Sequence, residues 1–261
     1  MHRRALIKAG LVTGAAATTG FRAPSAADAR RHYELRTYEM RNDINTAALR
    51  TFYKDALLPA YARAGAGAIG LFSPETGASQ SVLALIEYPS LAAVSTINDA
   101  LENDSAYPTA QRAFESAADL PYIRYDSALM RAFTGMPSVD VPPAPASRPA
   151  RMFELRTYEA RSATALDRKI AMFNEQEMPL FRSLGMTPVF FGENIFGTRL
   201  PSLTYMLTFE DMPARYKAWA AFGASPDWKR INADPKYNNV PGNVTVTNVA
   251  YLRPLAFSPI R

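Results

Sequence analysis

The segment Tyr33-Glu34-Leu35-Arg36-Thr37-Tyr38-Glu39-Met40-Arg41 returns as Phe153-Glu154-Leu155-Arg156-Thr157-Tyr158-Glu159-Ala160-Arg161, with seven of nine positions identical. The spacing of 120 persists beyond the motif, because Pro59, Tyr61 and Gly65 meet Pro179, Phe181 and Gly185. One residue further on, Phe52 and Tyr88 meet Phe173 and Phe209. A period this long exceeds a solenoid unit and equals one small domain. The 261 residues are therefore expected to hold two similar domains in tandem, 30–133 and 150–261, with a linker over 134–149. Five prolines between Thr134 and Pro149 remove amide donors and favour extended backbone, as a semi-rigid connection requires.

Each copy reads as strand, helix, strand, strand, helix, strand. In the first, residues 33–40 alternate with β-forming types, and Thr46 to Ala64 carries Leu49, Phe52, Tyr53 and Leu57 at helical spacing. Apolar runs at 69–72 and 81–88 flank the turn residues Pro74-Glu75-Thr76-Gly77; a helix over 90–116, interrupted at Pro108, and a strand over 123–130 follow. The second copy places strands near 153–160, 188–192, 203–209 and 244–252, and helices near 162–184 and 212–233. Pro59 and Pro179 predict a matched kink late in the first helix of each copy. A β-α-β-β-α-β unit is ferredoxin-like, an α+β fold whose sheet keeps one face free of its own helices. Two tandem copies can join those faces into a pseudo-twofold barrel within one chain, with the lumen as the natural pocket.

Residues 1–29 carry a different signal. Arg3-Arg4-Ala5-Leu6-Ile7-Lys8 precedes a small, mostly uncharged run, and Ala27-Asp28-Ala29 fits a small-x-small cleavage site. This has the three regions of an export signal and resembles the twin-arginine type, so a periplasmic or secreted product is expected. The run is too short and too rich in Ala and Thr for a stable membrane span, which needs about 20 apolar residues. The segment holds four of the 29 basic residues and one of the 24 acidic ones, so the formal charge falls from +5 to +2 without it. No basic stripe with interleaved aromatics remains, and nucleic acid is not an expected partner.

The repeated aromatic-Glu-Leu-Arg-Thr-Tyr strand, followed by a helix ending in Pro-x-aromatic-x-x-x-Gly and then a hairpin, resembles the NIPSNAP family of the dimeric α/β-barrel superfamily. The resemblance implies tandem ferredoxin-like domains that form a barrel. It implies no reaction, since the family has no generally established one, and fold alone does not supply one.

Strand alternation puts Glu34, Arg36 and Tyr38 on one face and Tyr33, Leu35 and Thr37 on the other. The more apolar set is expected against the helices, which would turn the Glu-Arg-Tyr triplet into the lumen, joined there by Glu154, Arg156 and Tyr158. Arginine offers a donor fork to an anionic or enolate oxygen, tyrosine a donor or proton, and glutamate an acceptor. The same six residues could instead form a structural ion-pair network between packed layers.

Zero cysteine excludes thiolate sites and disulfides, and His32, the one histidine outside residues 1–29, sits where a frayed start is expected. Zinc, non-haem iron, a Ser-His-Asp triad and an axial histidine for haem all lack ligands, and no phosphate-cradling glycine loop is present. No cofactor and no metal are expected. Phe190, Phe191, Tyr205, Trp219, Phe222 and Trp228 read as core more than as pocket lining. The function expected is binding of a small apolar or anionic molecule in the lumen. The alternatives are a cofactor-independent oxygenase or isomerase on an enolisable aromatic substrate, and a protein-interaction module. Oligomeric state stays open, with a homo-oligomer among the options.

Overall fold

The computed structural model describes residues 30–40, 43–75, 81–116, 122–140, 149–237 and 243–261. The expected export signal therefore lies outside the described residues. Eight strands in those residues close into one antiparallel barrel: β1 His32–Glu39, β2 Ile69–Pro74, β3 Ser81–Tyr88, β4 Arg124–Ala132, β5 Met152–Ala160, β6 Thr187–Phe196, β7 Ser202–Phe209 and β8 Val244–Pro254. Their order around the barrel is β1-β3-β2-β8-β5-β7-β6-β4, so each repeat supplies four neighbouring strands. The repeats meet edge to edge, through β2–β8 on one side and β4–β6 on the other. Closure in this way abolishes most free sheet edges, which stacked open sheets would keep.

Helices lie outside the barrel. In the first repeat α1 (Asp43–Phe52) passes through a π-helical turn, Tyr53–Leu57, into α2 (Leu58–Arg63). In the second, α5 (Ala163–Met172) does the same through Phe173–Glu177 into α6 (Met178–Ser183). The expected kink is thus a π turn placed just before Pro59 and Pro179, where widening the helix accommodates the missing amide. The matched turns make Phe173 the counterpart of Tyr53, not of Phe52. Gly65 and Gly185 end these helices at φ 88° and 74°, a left-handed conformation that glycine enters without a Cβ clash.

The long second helix divides in both repeats. α3 (Leu91–Glu102) and α4 (Tyr107–Glu115) match the expected break near Pro108. α7 (Met212–Ala224) and α8 (Pro226–Ala233) part at Ser225, where the pre-proline backbone is extended, a break the reading of 212–233 as one helix missed. Ser90 and Asp211 cap α3 and α7 by accepting the amide hydrogens of Ala93 and Ala214. The start of the proline-rich connection is packed: Met136 is buried, and the Val139 amide donates to Glu87. Residues 141–148 of that linker lie outside the described residues.

Three apolar clusters organise the core. One gathers residues from strands of both repeats inside the barrel, and the other two lie between the barrel wall and the helices of each repeat. Among the described residues no helix is long and apolar enough to cross a membrane.

Candidate functional site

Strand alternation divides the repeated motif as expected, but the faces are reversed. Tyr33 packs within the barrel cluster with Leu35 against it, whereas Tyr38 belongs to the helix-side cluster. Tyr33 and Phe153 fill one end of the lumen, each against an aromatic of the other repeat: Tyr33 on Phe190 at 5.3 Å and Phe153 on Phe72 at 5.0 Å between ring centroids. The lumen interior is itself an apolar environment, so the more apolar face of the strand enters it. Glu34, Arg36, Tyr38, Glu154, Arg156 and Tyr158 therefore do not meet in one lumen. Each triplet is covered by its own repeat's helices.

In the first repeat Arg36 grips Glu34 with both sides of its fork, Nε to Oε1 at 2.5 Å and Nη2 to Oε2 at 2.9 Å. The Tyr88 hydroxyl donates to the same carboxylate at 2.8 Å and the Ser127 hydroxyl at 2.7 Å. Burial alone would raise the Glu34 carboxyl, but the hydrogen bond and charge of Arg36, with Ser127 and Tyr88, hold it below the usual carboxylate range.

In the second repeat Glu154 accepts from Arg156 Nη1 at 2.6 Å, from Arg215 Nε and Nη2 at 2.9 Å each, and from Trp219 Nε1 at 2.8 Å. Burial opposes its ionisation, and Arg215, Trp219 and Arg156 together lower its pKa. Arg156 stacks on Trp219 at 4.6 Å and donates to the Tyr158 hydroxyl, which in turn pairs with Tyr205. Beside it Lys169 and Glu177 form a buried ion pair against the rings of Phe173, Trp228 and Tyr158. Burial raises the Glu177 carboxyl in spite of that lysine.

The lumen opens at the other end. A cavity of about 530 Å³ is lined by Leu35, Thr37, Leu83 and Ala128 of the first repeat and Leu155, Thr157, Thr204, Asn248 and Ala250 of the second. Thr37 matches Thr157, Leu35 matches Leu155 and Ala128 matches Ala250, so small side chains from both repeats leave the space that Tyr33, Phe72, Phe153 and Phe190 fill at the closed end. Its collar is ordered by side-chain bonds: Thr157 to Thr204 at 3.0 Å, Asn194 to Ser202 at 2.8 Å, and Asn248 to Glu159 at 2.9 Å. Alternation alone could have found Thr37 and Thr157, had the lumen been assigned the other face.

Phe190 plugs the lumen, and Phe191, Tyr205, Trp219, Phe222 and Trp228 pack beneath the helices, as core. His32 is the first residue of β1 and not a frayed terminus. Among the described residues no cluster of His, Cys, Asp and Glu could hold a metal.

The NIPSNAP family matches residues 33–131 and 153–259, which are the two repeats. No curated protein matches the chain. Among solved structures, a proposed monooxygenase from Lactobacillus acidophilus NCFM superposes with a TM-score of 0.58 at 10% identity, over 85% of this chain and 93% of that one. A proposed monooxygenase from Fusobacterium nucleatum subsp. nucleatum ATCC 25586 gives 0.54 at 10% identity, over 87% and 93%. A NIPSNAP family protein of unknown function from Agrobacterium tumefaciens str. C58 gives 0.38 at 20% identity, over 43% and 95%.

Proposed function

The chain belongs to the NIPSNAP family, which has no established reaction, and from that premise we propose that it is an exported protein that binds a small molecule in the open end of its barrel. The observation that carries this is the cavity of about 530 Å³ with matched lining from both repeats. Its floor is apolar, with Leu35, Leu83 and Leu155, and its collar is neutral and polar, with Thr37, Thr157, Thr204, Asn194 and Asn248. Glu39, Asp126 and Arg199 stand at the rim, so no net positive field invites an anion. A small neutral amphipathic molecule suits the space better than a carboxylate or phosphate. Such a floor and collar are the usual make-up of a ligand pocket, with apolar area for affinity and few polar groups for orientation.

The probe is the neutral fluorophore N-phenyl-1-naphthylamine. It should brighten on titration with the full-length protein and fail to do so with a Thr37→Trp/Thr157→Trp variant that fills the cavity. Equal brightening by both proteins would remove the lumen as the site.

Export rests on the basic, apolar and small-residue regions of residues 1–29. Replacing Arg3 and Arg4 by lysine should leave the protein in the cytoplasm on cell fractionation; unchanged export would refute the twin-arginine route.

A second reading, a cofactor-independent oxygenase or isomerase on an enolisable aromatic substrate, draws support from Arg36 and Tyr38 lining one enclosed cavity beneath the first repeat's helices. The arginine could hold a developing oxyanion and the tyrosine could carry a proton. Oxygen uptake with a panel of phenols and naphthols, lost on Tyr38→Phe, is its test; no uptake with any of them would set it aside.

A further inference from the structure

Above the arginine of the repeated strand the two repeats are packed differently. A cavity of about 120 Å³ lies between β1 and the helices of the first repeat, with Arg36, Tyr38 and Tyr53 at its base and Phe114, Tyr122 and Tyr125 among its walls. In the second repeat larger side chains stand at the matching positions. Lys169 stands where the first repeat has Leu49, and Tyr205 stands where it has Ala84, the residue opposite Arg36. Trp228 closes over Lys169 from α8.

The size and surface of the cavity select a class of molecule. At about 120 Å³ the space is close to the roughly 150 Å³ that takes up benzene, so its size matches a single ring and not a fused pair. Its walls are aromatic. Phe52 and Phe114 stack at 4.5 Å and 5° between planes, and Tyr38 meets Tyr53, Tyr122 and Tyr125 at 5.7, 5.1 and 5.2 Å. Such edges and faces suit a planar ring over a puckered one.

The base of the cavity offers donors. Two of the five N–H groups of Arg36 go to Glu34, and the rest of the guanidinium faces Tyr61 and the cavity. The Tyr53 side chain is 1% exposed, and its hydroxyl meets that of Tyr38 without full hydrogen-bond geometry. A buried hydroxyl without a well-formed bond is costly, and it is uncommon where nothing is meant to meet it. Burial also raises the Tyr53 phenol well above its usual range, so it stays an O–H donor across the physiological range. Glu34 already neutralises Arg36, and Glu115 stands in the lining, which together disfavour a fully charged anion.

We propose that this cavity binds a single-ring phenol, with the ring among Phe114, Tyr122 and Tyr125 and its oxygen accepting from Tyr53 and Arg36. The proposal concerns binding, and stands whether or not oxygen is consumed and whether or not the lumen takes a ligand of its own.

Calorimetric titration of the full-length protein with phenol, toluene and cyclohexanol tests it. Phenol should bind saturably at one site, and toluene, which lacks the oxygen, about tenfold more weakly, the worth of one to two hydrogen bonds. Tyr53→Phe keeps the shape, since Phe173 fills the same place in the other repeat, and should weaken phenol about fivefold while leaving toluene unchanged. Leu49→Trp, checked for folding by its thermal transition, should abolish both. The lumen-filling Thr37→Trp/Thr157→Trp variant should bind phenol like the parent. The proposal fails if phenol shows no saturable binding, if it binds no better than toluene or cyclohexanol, if Tyr53→Phe leaves it unchanged, or if filling the lumen abolishes it.

Discussion

The two repeats bury the same Glu-x-Arg-x-Tyr strand under helices and satisfy it by different means. Glu34 is bonded by its own Arg36 and by two hydroxyls from neighbouring strands, Tyr88 and Ser127. At the matching sheet positions the second repeat has Phe209 and Val249, which can donate nothing from their side chains. Glu154 turns to the helix layer instead, to Arg215 and Trp219 of α7, whose counterparts in α3, counted from the caps Asp211 and Ser90, are Val94 and Asn98. A buried carboxylate must be satisfied, but nothing requires that the donors come from the same layer. The choice has consequences around it. Donors from the helix draw Trp219 down onto Arg156, whereas donors from the sheet leave a cavity over Arg36 beneath the first repeat's helices.

The comparison can be broken most sharply at the two carboxylates. Glu154→Ala strands Arg156 and Arg215 in a buried site and should cost about 3–5 kcal/mol in urea unfolding, the penalty for opening a buried ion pair. Glu34→Ala strands one arginine and should cost less by at least about 1 kcal/mol. Equal losses would mean that the two networks are energetically alike.

Next comes the buried pair that only the second repeat has. Lys169→Leu alone should destabilise by about 3 kcal/mol, since Glu177 is left buried without its cation. Lys169→Leu/Glu177→Leu installs the leucines of the first repeat, Leu49 and Leu57, and should recover that loss or exceed it by about 1–4 kcal/mol. A double variant as unstable as the single one would contradict the equivalence of these positions.

Ser127→Val gives the first repeat the residue of the second and removes one charged hydrogen bond, an expected loss of about 1.5–3 kcal/mol. The same substitution tests whether hydroxyls hold Glu34, because its carboxyl should then titrate closer to the ordinary range when followed by NMR.

The buried carboxyls are displaced in opposite directions, and pH should expose that. Glu34 and Glu154 are lowered, so their stabilisation is present above about pH 4.3, the ordinary glutamate value, and is lost as pH falls through their folded values. Glu177 is raised, so its contribution is full at low pH and is lost as pH rises through its folded value. The Lys169→Leu/Glu177→Leu variant should therefore gain on the parent in urea unfolding as pH rises above the ordinary glutamate value of about 4.3. A gap that narrows with pH would reverse the assignment.

The smallest effect is expected at Tyr53→Phe, which exchanges the first repeat's residue for Phe173 of the second and removes a hydroxyl that meets only weak hydrogen-bond geometry. Stability should change by less than about 0.5 kcal/mol, or rise. A large loss would show that the hydroxyl is already engaged.

Much of this was legible in the residues. The repeat located both units, the alternation in β1 separated Glu34, Arg36 and Tyr38 from Tyr33, Leu35 and Thr37, and Gly65 and Gly185 marked two helix ends. The break at Ser225 follows from Pro226, which disfavours helical backbone in the residue before it, a signal that the reading of 212–233 as one helix does not use. The face of the triplet was not legible, because both the lumen and the helix layer are apolar and the more apolar set of the strand suits either. The partners that decide the matter, Arg215 and Trp219, stand 61 and 65 residues from Glu154 and form no local pattern with it.

By itself the sequence determined that this protein is two copies of one β-α-β-β-α-β unit, because a motif identical at seven of nine positions and repeated at 120 residues can hardly fold two ways. The tertiary structure alone decided which side of the repeated strand looks inward. A period of two distinguishes faces without naming them, and the name comes from what each face meets once the barrel closes. A narrow eight-stranded lumen accepts Tyr33, Leu35 and Thr37, while an ionised glutamate and arginine are buried stably only where other chain segments bring donors to complete them.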